Sequence, residues 1–171
     1  MGRLEKEVKD ELDAHTIPKI ETTEWRHEMP HGAQPSAVTM SRNRRLVDTW
    51  YEQMWNRWDK TTIPKICADE ITFRGSLGET VHGHAGVAAY MDRIRQGFPD
   101  FTNVIKDVIS EGDKAFARLT YVGTHQGTVL GFPPTGKKVT YSGAAVFTFH
   151  ADKIVDVWVL GDVQTLTRQL K

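Results

Sequence analysis

The chain has 171 residues, of which 39% are hydrophobic and 26% charged, and its 22 Lys plus Arg balance 22 Asp plus Glu. This length and composition are typical of one soluble domain that is large enough for a core with a cavity. Because the formal net charge is zero, the chain has no general electrostatic attraction for nucleic acid or an anionic membrane, and we expect neither as a partner.

The number of cysteines and the hydropathy of the sequence narrow the class of protein further. The single cysteine, Cys67, excludes an internal disulfide, and no Cys/His cluster has the spacing of a structural zinc site. The opening run MGRLEKEVKDELD is too charged for a secretory signal, and no apolar run approaches the ~20 residues of a membrane span. We therefore expect a cytoplasmic protein without a metal.

Residues 1–40 are predicted to form an N-terminal extension to a domain over residues 41–171. Leu4, Val8 and Leu12 recur every four residues and predict a weak amphipathic helix, after which prolines interrupt regular structure. Two interpretations stay open: an appendage that wraps the domain or is partly mobile, and an arm that forms a dimer or covers a pocket.

Helices are predicted first in the domain. An apolar face predicts a helix of nearly five turns with Ser41 as its cap, and it consists of Leu46, Val47, Trp50, Tyr51, Met54, Trp55 and Trp58. A short helix is expected near Thr62–Cys67, and a further helix over His84–Gly97. Glu70–Gly75 alternates like a strand between them.

The second half of the domain is predicted to be a β meander. Strands are expected at Phe101–Ser110, Lys114–Thr124, Val139–Phe149 and Ile154–Leu160, with a closing helix at Val163–Leu170. This order is typical of an α+β fold rather than of alternating βαβ units. A long curved sheet with helices over its concave side leaves a blind pocket between the layers, where ligand sites are common.

Short motifs in this meander resemble those of the SnoaL-like polyketide cyclase and ester cyclase family. They are GTHQG at Gly123–Gly127, PTG at Pro134–Gly136, Phe98-Pro99-Asp100, and the closing Trp158 with Asp162. The resemblance covers about residues 43–171. It implies a nuclear-transport-factor-two-like cone, with a curved mixed or antiparallel sheet and three helices that enclose a pocket. It also implies intramolecular aldol ring closure without a cofactor. Isomerases, dehydratases, epoxide hydrolases and non-catalytic binding proteins share this fold.

His125 and Asp162 are the predicted catalytic residues. The resemblance carries the active-site role of the motif histidine over to His125, and an imidazole can give or take a proton near neutral pH. Its alternative role is a backbone contact in the loop that follows. Asp162 follows an apolar strand and shares a face with Trp158; it either reaches the pocket rim or caps the last helix.

Five further residues are predicted to bind substrate: Arg74, Tyr90, Tyr141, Trp158 and Trp55. Arg74 is either directed into the pocket, where its guanidinium holds an oxygen, or faces solvent. The two tyrosines offer hydroxyl donors or pack in the core, and tryptophans on one stripe are more often core residues. His82 and His84 lack a third metal ligand and are interpreted as a loop pair.

One departure from the family pattern bears on the reaction. Polyketide-cyclising relatives carry an acidic residue on the strand that corresponds to Gly143–Phe147, which here reads GAAVF. We expect a cofactor-independent acid/base enzyme of cyclase or isomerase type that acts on a hydrophobic, polyketide-like carbonyl compound. A non-catalytic binding protein and an epoxide hydrolase or dehydratase are the alternatives. A homodimer is expected because such a fold exposes one sheet face.

Overall fold

The structure, a computed structural model, describes residues 37–171. The predicted extension, with the helix through Leu4, Val8 and Leu12, lies outside the described residues as far as residue 36. The helices are α1 (Ala37–Thr49), α2 (Ile63–Ile66), α3 (Gly83–Gly97) and α4 (Val163–Leu170). The strands are β1 (Cys67–Arg74), β2 (Thr80–His82), β3 (Thr102–Glu111), β4 (Lys114–Thr124), β5 (Lys138–His150) and β6 (Lys153–Gly161).

The six strands form one curved sheet in the order β2-β1-β6-β5-β4-β3. All neighbours are antiparallel except β1 and β6, which pair in parallel. The four strands β3 to β6 are therefore adjacent in the sheet, as a meander predicts. The other two strands, β1 and β2, come from the helix-rich first half and lie beyond β6. The predicted α+β fold with a curved mixed sheet is confirmed.

Alternation along the strands gives the sheet one buried and one exposed face. In β4, Ala115, Ala117, Leu119 and Tyr121 are buried while the residues between them are more exposed. The same alternation in β5 and β6 buries Phe147 and Val157. Since successive side chains of a strand point to opposite faces, the buried set covers a single side of the sheet.

The first helix differs from its prediction at both ends. It begins at Ala37, so Ser41 lies within the helix rather than at its N-cap. It continues as a π-helical segment over Trp50–Trp55, with a bond from the Asn56 N–H to the Tyr51 carbonyl at 2.8 Å. Trp58 lies beyond it in the left-handed region, with φ of 57°. The prediction that one helix continues to Trp58 is wrong because the wider π turn ends the regular helix at Trp55.

The other elements fall close to their predicted places. β4 and α4 have the predicted bounds, and the short helix near Thr62–Cys67 is a single 3₁₀ turn (Lys60–Thr62) followed by α2. The structure also contains β2, which the sequence did not predict, since a strand of three residues shows no alternation. His82 ends β2 and its Nδ1 lies 3.3 Å from the Thr72 hydroxyl.

The helices pack on the buried face through aromatic rings. Trp50 contacts Phe73 of β1 and Phe147 of β5 edge to face, with ring centroids 5.4 and 5.8 Å apart. Edge-to-face pairs of this kind add to the free energy gained from burying the rings. Trp50 thereby joins α1 to two separated strands.

We predict that Phe147→Ala lowers the free energy of unfolding by about 3–5 kcal/mol, because the ring is wholly buried and its loss leaves a cavity. Phe132→Ala is the matched control, since Phe132 is only half-buried in the β4–β5 loop. Urea unfolding measures both variants. Equal losses for the two would contradict the packing described here.

Candidate active site

A cavity lies between the π-helical segment and the buried face of the sheet. It has about 310 Å³ of empty volume, its mouth included. Its walls are mostly aromatic, and they consist of Trp50, Tyr51, Trp55, Phe73, Ser76, Tyr90, Ile94, Phe101, Asn103, Tyr121 and Val159. Such a lining, apolar with a few polar groups, is typical of a small-molecule site.

Two glycines make room for tyrosine rings beside this cavity. A Cβ added at Gly143 would overlap the ring of Tyr121, and one added at Gly75 would overlap the ring of Tyr90. Both glycines lie on the sheet or at its end, where a side chain would occupy the buried layer. The missing Cβ atoms therefore allow the two rings to reach the cavity.

All four tyrosines of the chain are grouped at this place. Tyr51, Tyr90, Tyr121 and Tyr141 are each at most 3% exposed. Tyr121 and Tyr141 pair across β4 and β5 with ring centroids 4.9 Å apart. Among the described residues, the hydroxyls of Tyr51 and Tyr90 are buried without a hydrogen-bond partner. Ser76 and the Leu77 backbone lie close enough to the Tyr90 hydroxyl to offset part of the rise in its pKa. Either hydroxyl can still donate to a ligand oxygen.

Burial keeps these hydroxyls in the protonated form. It raises the pKa of Tyr51 well above the usual value, and the nearby Tyr121 adds to this rise. Burial also raises the pKa values of Tyr90, Tyr121 and Tyr141. A phenol whose pKa lies above its ordinary value of about 10 is a hydrogen-bond donor at neutral pH and not a base.

An amide pair closes one side of the cavity. The Asn56 Oδ1 accepts the backbone N–H of Asn103 at 2.7 Å, and the Asn56 amide donates to the Asn103 carbonyl at 3.0 Å. These bonds join the end of the π-helical segment to the start of β3. They fix the position of Trp55 and Tyr51 relative to the sheet.

His125 does not line the cavity. Its ring is 0% exposed and lies 5.6 Å from the ring of Phe98. The His125 Nδ1 lies 3.1 Å from the Thr135 hydroxyl and 3.3 Å from the Thr135 backbone nitrogen, while its Nε2 is buried without a partner among the described residues. The structure thus places the ring under the β4–β5 loop, which contradicts the predicted catalytic role of His125 at the pocket and agrees with its alternative role as a contact in this loop.

Asp162 lies on the opposite side of β5 from His125. The Asp162 N–H bonds to the Ser142 carbonyl, whereas the His125 N–H bonds to the Lys137 carbonyl. These two acceptors are five residues apart on an extended chain, about 16 Å at the rise of a strand. The structure therefore does not bring the two predicted catalytic residues together at one site.

Asp162 is exposed and caps α4. Its Oδ1 accepts the Thr165 N–H at 2.9 Å, and this bond lowers the pKa of the carboxyl. Trp158 shares its face and is 42% exposed on the solvent side of the sheet. Asp162 lies just after β6, which ends at Gly161, and both residues are exposed, so neither reaches the cavity.

Arg74 also points away from the cavity. Its Nη1 donates to the Val159 carbonyl at 2.6 Å, and its guanidinium lies 5.3 Å from the centre of the Trp158 ring. This corrects the interpretation of Arg74 as an inward donor. Tyr141 is buried beside Tyr121 but is not part of the cavity wall, contrary to the substrate-binding prediction.

Trp55 and Tyr90 are the predicted substrate-binding residues that the structure does place on the cavity wall. Sequence reasoning missed Tyr51 and Tyr121 as site residues. A signal for both existed: Tyr51 lies on the apolar helix face, and Tyr121 alternates with the exposed Arg118. Asn103 and Ser76 gave no such signal.

The family motifs attach the β4–β5 loop to the end of α3 through hydrogen bonds. The Asp100 carboxylate accepts the N–H and the hydroxyl of Thr124 at 2.6 and 2.7 Å. The Gln126 and Gly127 N–H groups bond to the Gly97 carbonyl at the end of α3. A Cβ at Gly127 would overlap the neighbouring Gln96 carbonyl, so glycine is required there.

Other reactive groups are not gathered into a site. Within residues 37–171, no group of three or more His, Cys, Asp or Glu side chains is close enough to hold a metal ion. Burial raises the pKa of the Cys67 thiol to about 12, so the thiol is a poor nucleophile. In the same range of residues, no helix is both long and apolar enough to cross a membrane.

We predict that acid weakens the hydrogen bonds from Thr124 to the Asp100 carboxylate. Bonds from Thr124 lower the pKa of this carboxyl, so its stabilising effect is present above the unfolded pKa and is lost as pH falls through the folded pKa. Asp100→Asn should lower the urea midpoint at pH 7 and reduce the further decrease between pH 5 and pH 2. Asp113→Asn, in the exposed β3–β4 turn, is the control. An unchanged midpoint at pH 7 in Asp100→Asn would exclude this role.

Comparison with known proteins shows where the chain belongs. Among curated protein sequences none matches it. The structure of a candidate SnoaL-like polyketide cyclase from Jannaschia sp. CCS1 is 20% identical, with a TM-score of 0.73 over 81% of this chain and 97% of that one. AclR, a candidate hydroxylase from Streptomyces galilaeus, is 28% identical, with a TM-score of 0.66 over 77% and 82%. TsrD from Streptomyces laurentii is 25% identical, with a TM-score of 0.68 over 76% and 95%. The family model of the SnoaL-like polyketide cyclases matches residues 45–170, and the chain belongs to that family.

Proposed function

We propose that the domain binds a compact, apolar carbonyl compound of the polyketide type and promotes a cyclase- or isomerase-type reaction of it without a cofactor. The observation that carries this proposal is the pair of buried, unpartnered hydroxyls of Tyr51 and Tyr90 on one aromatic cavity. A buried polar group without a partner costs about 1–3 kcal/mol, which a ligand oxygen that accepts its hydrogen recovers. The name of the family supports a polyketide-like substrate.

The tyrosines act as donors in this proposal. When a proton leaves the carbon next to a carbonyl, its electron pair forms the C=C bond of an enolate and charge develops on the oxygen. Donors placed at that oxygen in a dry site stabilise the charge. The raised pKa values of Tyr51 and Tyr90 keep both phenols protonated, so neither accepts the proton, which passes to hydroxide from solvent and gives water. The proposal thus replaces His125 and Asp162 by the tyrosine pair.

Non-catalytic binding is the second candidate function. It is favoured by the absence of any carboxylate or imidazole among the described residues that form the cavity wall. The same absence weighs against an epoxide hydrolase or dehydratase, because those reactions call for carboxylates at the reacting carbon. AclR is described as a candidate hydroxylase. The side chains that line this cavity do not themselves activate oxygen.

We predict that Tyr51→Phe and Tyr90→Phe each weaken the binding of 2-tetralone about threefold to tenfold, the effect of one neutral hydrogen bond. Binding of tetralin, which has the same rings without the oxygen, should not change. The free energy of unfolding should stay equal or rise, because an unpaired hydroxyl is removed. Calorimetry and urea unfolding measure the two effects.

Tyr141→Phe is the matched control for this experiment, since Tyr141 is equally buried but does not line the cavity. Its affinity for 2-tetralone should match that of the wild type. Equal losses of tetralone and tetralin binding in the cavity variants would refute a role of the hydroxyls as donors.

Hydrogen exchange separates the two candidate functions. An enzyme that stabilises the enolate should speed the incorporation of deuterium from D2O next to the carbonyl of bound 2-tetralone, and Tyr51→Phe should slow it. Mass spectrometry follows the exchange. Binding with exchange no faster than in buffer would favour the non-catalytic function.

We also propose a homodimer through the exposed sheet face. An apolar row crosses this face from Ile109 to Phe116, Val146 and Trp158, which are paired in register on four adjacent strands. Ile109 is 67% exposed and Leu160, beside this row, 52%. A contiguous apolar patch of this kind marks an interaction surface more often than a solvated one. Because the row lies on the side away from the cavity, a second copy would leave the cavity open.

We predict that Trp158→Lys converts a two-chain species into a single chain in sedimentation velocity, because it places a charge at the β6 end of the row, beside the exposed Leu160. Glu52→Lys, on the exposed side of the π-helical segment, is the control and should keep the mass of the wild type. A wild-type protein that sediments as a single chain would contradict the homodimer.

A further inference from the structure

A second pocket opens on the outer side of Tyr90, with about 470 Å³ of empty volume including its mouth. Its walls come from three segments that are distant in sequence. They are Tyr90, Arg93 and Ile94 of α3, Leu77 and Glu79 of the β1–β2 loop, and residues 128–130 of the β4–β5 loop. We call this the outer pocket, and the cavity described above the inner cavity.

The two pockets share a wall. Tyr90 and Ile94 lie four residues apart on α3, hence on the same side of the helix, and both line the inner cavity as well as the outer pocket. The hydroxyl of Tyr90, which is 3% exposed and unpartnered, is at this wall. A ligand oxygen bound to Tyr90 therefore lies next to the boundary of the two spaces.

The volume of the inner cavity limits the size of the ligand that it can hold. The empty volume of about 310 Å³ at the inner cavity includes open solvent at its mouth, so the enclosed part is smaller than a typical small-molecule site of ~300–1,000 Å³. A ligand larger than this enclosed space has to extend beyond it, and Tyr90 and Ile94 are wall residues that the inner cavity shares with the outer pocket. The outer pocket lies against the same two residues and is therefore the adjacent space.

The lining of the outer pocket indicates what it would hold. Leu77, Ile94 and Val129 supply apolar contacts. At the rim, Arg93 and Glu79 form an ion pair at 2.6 Å with both side chains about half exposed. A paired guanidinium and carboxylate favour neither an anion nor a cation, but together they offer a donor and an acceptor to an uncharged polar group.

We propose that the outer pocket binds the extension of an elongated substrate whose carbonyl-bearing ring occupies the inner cavity. The extension is an apolar chain of a few carbons with an uncharged hydroxyl, carbonyl or amide end that reaches Glu79 and Arg93. This inference rests on the proposed function and specifies its substrate class. The substrate is a molecule that is longer and more amphipathic than one that the inner cavity alone would bind.

The first experiment compares 2-tetralone with its 6-(5-hydroxypentyl) derivative by calorimetry on the full chain. The wild type should bind the elongated ligand at least tenfold more tightly than 2-tetralone. Leu77→Trp, which fills the outer pocket, should remove this gain and leave 2-tetralone binding within twofold of the wild type. Gln164→Trp, on the exposed side of α4, is the control and should keep the gain.

Thr128→Trp provides a second obstruction that does not depend on a core position, because Thr128 is exposed on the loop. It should act like Leu77→Trp. Arg93→Met should weaken the hydroxypentyl ligand about threefold or more but leave a 6-pentyl analogue unaffected, since only the hydroxyl end meets the ion pair.

The outcomes separate this inference from the proposed function. If the wild type binds 2-tetralone but gains nothing from the extension, or if Leu77→Trp and Thr128→Trp keep the gain, the outer pocket is not part of the substrate site and the proposed function stands. If neither ligand binds, the proposed function fails and this inference fails with it.

Discussion

The packing of Trp50 between Phe73 and Phe147 is the contact on which the rest of the structure depends. It holds the π-helical segment against strands that are not neighbours in the sheet, and the same segment supplies Tyr51 and Trp55 to the cavity wall. Because an interior of interlocked rings tolerates few voids, Gly75 and Gly143 are needed to make room for the Tyr90 and Tyr121 rings that line the cavity. The fold and the site are thus built from one set of aromatic contacts.

Two unpaired hydroxyls in this layer oppose stability. Each costs free energy in the ligand-free protein, while phenylalanine would fill the same space without that cost. Sites that bind ligands often retain such unfavourable groups, because the ligand supplies the missing partner. The tyrosines therefore indicate a function more clearly than the surrounding rings do, since the rings are explained by packing alone.

Periodicity predicted most of the fold and little of the site. Alternation placed β4 at its observed bounds, and Trp158 and Asp162, which it predicted to share a face, are both exposed. Alternation does not show which face is buried, however, and Trp158 lies outside. The wall of the cavity also includes Ser76 and Asn103, whose positions depend on a loop and on an amide bond to Asn56. Contacts between distant segments have no period in the sequence, so the pattern could not reveal them.

The motifs that reveal the family have a structural role in this chain. Asp100 holds Thr124, and Thr135 holds His125, so these residues fix the β4–β5 loop on the end of α3. That loop carries Val129, which lines the outer pocket, and a Cβ added at Gly97 would overlap the Val129 side chain. The hydrogen bonds that hold the loop therefore also determine the position of one wall of the outer pocket. A motif can therefore be retained because it shapes the site, even where its histidine does not face the ligand. Membership of the family then identifies the architecture, and the chemistry has to be argued from the tyrosines that this architecture brings together.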